Sequence, residues 1–295
     1  MNTLLFVVIG LVNSLPSAVP AEKGSQAERI IAEYLAMPQP EEDRLGEAYQ
    51  ARWKVLVQLK AVPDEAVSAV RRILADGKNP RQRQELAACV ADQIHTKEAA
   101  VLLHDLLKDG DAQVRGKAIH GLRMMARRTD RSGGKRVQRG EEFAPKVEGL
   151  VPWLIEAADD KAEQNRVGAL YALANARDPA AVAELRRRLQ DPSDRVRLYA
   201  ACFLTEFQDA SGLPEIRAAL QRLCKQKPQS NLHYYWEAEI LLASLERITG
   251  KSFGEIPMLP ELCSDSRKSA EYVQRYGELL RTWAQWWAWE PSGMK

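Results

Sequence analysis

Residue types able to do chemistry are few in this sequence, and their spacing does not converge on a reaction. The four histidines are His95, His104, His120 and His233. Acid–base or nucleophilic catalysis needs such groups brought together with tuned pKa values, and neither a GxSxG, an HExxH nor a Gly-rich phosphate loop occurs. One metal-ligand combination is open: His104 and His120 on adjacent helices, with Asp105. The four cysteines, Cys89, Cys202, Cys224 and Cys263, form neither a CxxC pair nor a Cys/His set with zinc spacing. Gly250-Lys251-Ser252 has the end of a phosphate loop, but that motif needs a glycine five residues before Gly250, and position 245 is Leu. The expectation is no catalytic residue, no cofactor and no metal.

Two clusters carry binding chemistry instead. Between Arg127 and Arg139 stand Arg127, Arg128, Arg131, Lys135, Arg136 and Arg139, opposed only by Asp130. Such a basic loop can hold phosphate, an anionic glycan or an acidic partner. It reads equally as a solvated insertion, because Gly133-Gly134 and their polar neighbours bury too little surface to order it. With no aromatic residue among the cations, it offers no platform for stacking bases. The second cluster is Trp283, Trp286, Trp287 and Trp289, four of the seven tryptophans in the last 13 residues. The first three, spaced i, i+3, i+4, share one helical face. That stripe is either a cap covering an open apolar end or a carbohydrate- or peptide-recognition platform.

Composition bounds the partners. Of 295 residues, 45% are apolar and 28% charged, with a formal net charge of +2. Such a chain is foldable and soluble, and its charge does not demand nucleic acid or a membrane. Leu4 to Val12 is a nine-residue apolar run, the length of a signal-peptide core and short of the ~20 residues that span a bilayer. Val19-Pro20-Ala21 offers a small-residue cleavage site, so residues 1–21 are expected to be an export signal, cleaved near Ala21 or retained as an anchor. The mature chain is expected in the periplasm or outside the cell, with no further membrane span.

What must position these residues is a repeat. Asp109, Val114-Arg115, Ala118 and Leu122 recur as Asp191, Val196-Arg197, Ala200 and Leu204, and as Asp160, Arg166, Ala169 and Leu173. A weaker copy has Gln84, Ala87 and Ala91. Gln84, Arg115, Arg166 and Arg197 are separated by 31, 51 and 31 residues, so the middle interval carries an insertion of 20. Leu154, Leu185 and Ile216 keep the 31-residue step in a second apolar stripe. Each unit is therefore two amphipathic helices, with Asn175 to Pro179 and Asp191 to Asp194 as linkers. Pairs are expected at 50–60 and 64–75, 80–94 and 97–107, 112–128 and 145–157, 162–175 and 179–189, and 194–207 and 213–224. Helices are also expected at Gln26 to Met37, His233 to Ile248 and Glu271 to Trp289. A hairpin cannot bury its apolar face alone, but stacked hairpins can. The Asp and Arg residues are expected to form a ladder between repeats: Asp109, Arg115, Asp160, Arg166, Asp191 and Arg197. Cys89 and Cys202 hold equivalent positions in different repeats, too far apart to pair, which leaves Cys224 and Cys263 as the disulfide combination that remains open.

The Asp…Val-Arg…Ala…Leu pattern from about Tyr49 to Cys224 resembles the HEAT-repeat family in its short bacterial, phycobilisome-lyase-like form. The closing Thr249-Gly-Lys-Ser-Phe-Gly254 and Trp-rich end is similar to the ending of exported bacterial HEAT-repeat proteins. The resemblance implies an all-α, right-handed α-α superhelix of about five hairpins. It divides the chain into a signal (1–21), an N-terminal capping helix and connector (22–46), repeats (47–225) with the basic insertion at 129–142, and a Trp-rich helical cap (226–295). It also implies a monomeric, non-catalytic scaffold in the cell envelope that holds a protein or peptide, not a specific nucleic acid, on a concave face expected to be formed by the second helices. The alternative is a lyase that attaches a chromophore, as phycobilisome-lyase-like proteins do. HEAT-repeat deoxyhypusine hydroxylases ligate iron through His-Glu pairs, and no histidine here precedes Glu.

Overall fold

The computed structural model describes residues 24–37, 47–77, 79–126, 147–225, 232–256 and 266–289. Among them are thirteen α-helices and no strand. The helical periodicity of the sequence is therefore realised among the described residues, and the fold is all-α. Two compact units divide at Gly77.

In the first unit, α1 (Gln26–Ala36) packs on α2 (Glu47–Val57) and α3 (Pro63–Asp76), so the pair counted above as the first hairpin folds together with α1. Ser25 starts α1 through a capping box with Glu28, each side chain accepting from the other's backbone N–H. Its other end is closed from a distance. The buried Arg52 guanidinium donates to the carbonyls of Tyr34 (3.3 Å) and Met37 (2.9 Å) and lies 4.0 Å over the Tyr34 ring. It thereby gives the Met37 carbonyl a donor and adds a second to the Tyr34 carbonyl, which already accepts from the Met37 N–H. Arg72 pairs with Glu28.

The second unit stacks five hairpins: α4/α5 (Pro80–Gln93, Lys97–Leu106), α6/α7 (Ala112–Ala126, Leu150–Ala157), α8/α9 (Glu163–Ala176, Ala180–Arg188), α10/α11 (Asp194–Leu204, Leu213–Lys225) and α12/α13 (Leu232–Thr249, Ser266–Trp289). The repeat positions do what their types dictate. Ala87, Ala118, Ala169 and Ala200 have no exposure, nor have Leu122, Leu173 and Leu204 one turn on, and Leu154, Leu185 and Ile216 meet them from the second helices. The small residue lets a neighbouring helix approach and the large one fills the space between. Gly250, at φ +66°, ends α12 as a left-handed cap. Helix α7 begins at Leu150, five residues later than the apolar pattern predicts, after Gly149 at φ +82°.

Candidate functional site

The linkers come first, because they set the register of everything else. Asp109, Asp160 and Asp191 each sit three residues before a first helix, and each accepts from a backbone N–H two residues on: Asp111 at 2.9 Å, Ala162 at 2.7 Å and Ser193 at 2.9 Å. Arg115 and Arg166 bridge repeats. Arg115 grips Asp160 through Nε (2.6 Å) and Nη2 (2.9 Å), and its Nη1 donates to the Asp109 carbonyl (2.8 Å). Arg166 grips Asp191 in the same way and donates to the Asp160 carbonyl (3.1 Å). Burial would raise the Asp160 and Asp191 carboxyls, but hydrogen bonds from the arginines and from the linker N–H groups hold both below the usual range.

At its two ends the ladder changes partners. Arg197 donates to the Asp191 carbonyl (2.8 Å) but finds Asp194 (2.7 Å) and Glu215 (3.3 Å), since no further Asp-bearing linker follows. In the degenerate first copy the aspartate is taken by Arg83, one residue before the aligned Gln84, which bonds Asp111 instead (3.1 Å). Asn165, standing where two other copies have Val, is buried and donates to the Ala112 carbonyl (2.9 Å) and to Asp160 (3.2 Å). Nothing in its residue type announced that role.

The tryptophans are largely core. Trp283 is 1% exposed and Trp287 nearly as buried, packed with Tyr276, Leu245 and Leu223. Phe253 meets Trp283 edge-on at 4.7 Å, and the Lys251 ammonium lies 4.6 Å from the half-buried Trp286 ring. The described stripe therefore covers the end of the stack, and Gly250-Lys251-Ser252 supports it. Trp289 ends α13, and its side chain is not described. Arg127, Arg128, Arg131, Lys135, Arg136 and Arg139, residues 1–21 and Cys263 lie outside the described residues, while Cys224 is half-buried on α11.

Helices α4, α6, α8, α10 and α12 form one row and the second helices another. The first row is the closer one. A Cβ on Gly121 of α6 would stand 2.8 Å from the Ala91 Cα of α4, and one on Gly168 of α8 would stand 3.3 Å from Ile119 of α6. In the second row α7 and α9 meet only lightly. The first helices α4, α6 and α8 thus pack closely, and the side they turn away from the second row is termed the inner face. The cause is the glycine and alanine on their facing sides.

On a helix whose core face holds the positions three and seven after the ladder arginine, positions five and eight point the opposite way. His120, Arg123, Tyr171 and Asp92 occupy them partly exposed and line this inner face, whereas Cys89, Ala174, Cys202 and Thr205 at the same offsets are buried. His120 pairs with Asp92 through Nε2 (3.2 Å), and its Nδ1 accepts from Arg123 (3.0 Å). The Arg123 guanidinium lies 5.7 Å from the Tyr171 ring, which meets Phe203 edge-on at 4.7 Å and Tyr199 at 5.5 Å. Trp236 of α12, 41% exposed, and the half-buried Glu239 follow. Burial pushes the Tyr171 phenol up to about 12 and raises Tyr199, so both stay neutral. Burial alone also raises the Glu239 carboxyl.

Among the described residues, His104 and His120 do not come together: His104 stacks on Trp153 (centroids 4.4 Å apart) and faces Glu156 at 3.3 Å, whereas His120 is held by Asp92 and Arg123. Burial pushes the Cys202 thiol up to about 12, far from a thiolate at neutral pH. The inner face therefore offers rings, one unpaired carboxylate and charges already engaged. Those are groups for holding a ligand.

Residues 151–231 match the family described as HEAT repeats. None of the curated proteins matches the sequence. Among solved structures, a designed armadillo repeat protein in complex with the peptide (KR)4 is similar at 17% identity and a TM-score of 0.35, over 75% of this chain and 99% of that one. YibA of Escherichia coli is similar at 18% identity and 0.31, over 88% and 98%. Human deoxyhypusine hydroxylase in complex with glycerol is similar at 20% identity and 0.24, over 88% and 96%. None of these three likenesses bears on what this chain binds.

Proposed function

We propose that this HEAT-repeat protein is a non-catalytic scaffold of the cell envelope that holds a protein or peptide along the first helices of its second unit. The observation that carries the reading is the composition of the inner face. Three helices of the row, α6, α8 and α12, turn side chains that can recognise a partner, His120, Arg123, Tyr171, Trp236 and Glu239, away from the core. Aromatic side chains supply contact area at low entropic cost and polar groups supply specificity. The export-like run at Leu4–Val12 supports an envelope location.

The test is capture from an envelope fraction by the wild type and by Tyr171→Ala/Trp236→Ala, with quantitative mass spectrometry of both eluates. A scaffold retains a defined protein set that the double variant loses, while both retain their helical circular dichroism. Equal retention by both would move the binding surface elsewhere. Recovery of a covalently handled chromophore in stoichiometric amount would establish the lyase alternative.

A further inference from the structure

Glu239 is the one half-buried carboxylate of the inner face, among the described residues, that the fold leaves without an ion pair or hydrogen bond. The other charged groups described along this row are engaged. Asp92 holds His120, Arg123 bonds His120 and covers Tyr171, and Arg195 faces Glu163 at 3.5 Å and the Tyr199 ring at 5.8 Å. Arg247 donates to Thr205 at 2.8 Å and faces Glu206 at 3.6 Å, and Glu237 is held by Arg222 at 3.3 Å. Withdrawing a carboxylate from water without a partner is unfavourable, and a fold that merely needed a polar residue there is better served by glutamine.

The surroundings say what would pair with it. Trp236 precedes Glu239 by three residues and shares its face of α12. Tyr171 lies close enough for the two groups to influence each other's charge. Rings of this kind attract cations over their faces, and a carboxylate beside them adds a directed charge.

We propose, building on the scaffold reading, that the Glu239–Trp236–Tyr171 corner receives a lysine or arginine side chain of a basic partner segment. The cation pairs with the Glu239 carboxylate and its aliphatic stem lies along the exposed Trp236 ring. No other charge on this face needs to move. Specificity follows from charge: an acidic residue in the same position would meet the Glu239 carboxylate and be repelled.

The experiment uses the full chain and two fluorescein-labelled peptides, one alternating lysine and glycine and one alternating glutamate and glycine, with anisotropy as the readout at fixed ionic strength. The lysine peptide is expected to bind at least about tenfold more tightly than the glutamate peptide. Glu239→Gln should lose roughly that factor for the lysine peptide, and Trp236→Ala a part of it. Glu98→Gln, the same charge change at an exposed site on α5, should lose none. Equal losses in Glu239→Gln and Glu98→Gln would reduce the effect to general surface charge and overturn the assignment. So would failure of the wild type to prefer the lysine peptide. Either result leaves envelope capture by the inner face standing as a separate question, so the two readings fail independently.

Discussion

Arg166 and Asp191, 25 residues apart in sequence, meet fork to fork, with Nε 3.0 Å from Oδ2 and Nη2 2.9 Å from Oδ1. Asp191 is at the same time the residue that shapes the linker before α10, accepting from the Ser193 N–H at 2.9 Å. One carboxylate therefore fixes both the turn of its own repeat and the register of the repeat before it. Arg115 and Asp160 repeat the arrangement, which makes the ladder a device for stacking hairpins one at a time.

The ladder should be strong inside and weak at its end. The Arg166–Asp191 pair is nearly closed to solvent, with side-chain exposures of 13% and 1%, so Arg166→Ala leaves a buried carboxylate with only the longer Arg188 contact at 3.5 Å as its ion pair and should cost about 2–3 kcal/mol. Arg197→Ala removes a guanidinium whose partner Asp194 is 60% exposed and should cost about 1 kcal/mol. Urea denaturation of the two variants measures the difference directly.

Acid should attack the same joints. Asp160 and Asp191 have folded-state pKa values below the ordinary 3.8, so their stabilisation is complete above that value and is lost as the pH falls through the lower folded values. Thermal melts from neutral pH downward should show this loss only below about pH 4. In Arg166→Ala the Asp191 share of it should be much reduced.

Glu239 should behave with the opposite sign. Its folded pKa is raised above the ordinary 4.5, so the folded state binds its proton more tightly than the unfolded chain and ionisation at neutral pH is destabilising. Glu239→Gln should therefore melt at the same temperature as wild type or higher at pH 7. The gap should close as the pH falls to about the ordinary glutamate value.

Close approach within the inner row predicts a third kind of sensitivity. A methyl group on Gly121 would meet the Ala91 backbone at 2.8 Å and Leu103 at 2.6 Å. Gly121→Ala should cost about 1–3 kcal/mol despite the better helix propensity of alanine. Gly110→Ala, with nothing within 4 Å of the new Cβ, should stay close to wild type in the same chemical-denaturation assay.

Which parts of this were readable beforehand follows from range. Helix limits depend on local periodicity and caps, so α8, α9 and α11 fall within one residue of the limits the 31-residue step implies, while α10 ends three residues early and a 3-10 turn, Thr205–Phe207, completes the expected span. Ala118 and Leu122 announce their burial because their spacing is local too. The close packing of the first row does not reduce to spacing: it depends on Gly121 lying against Ala91, 30 positions away, and small residues are common in both sets of helices. The shift from Gln84 to Arg83 was hidden because either side chain can reach the linker from the first turn of α4. Glu239 carried no signal at all, since an unpaired carboxylate becomes visible only once the neighbours around it are placed. The tryptophan stripe was open to two readings, and Trp283 and Trp287 settle their own part of it by lying in the core.

A photo-crosslinking amino acid placed at position 171 on the inner face, and separately at the exposed Val101 on the outer helix α5, tests the central claim most directly in cells expressing the full chain. Irradiation should yield a discrete heavier adduct from position 171 and none from position 101. An adduct from position 101 alone would place the partner on the other row and contradict the account.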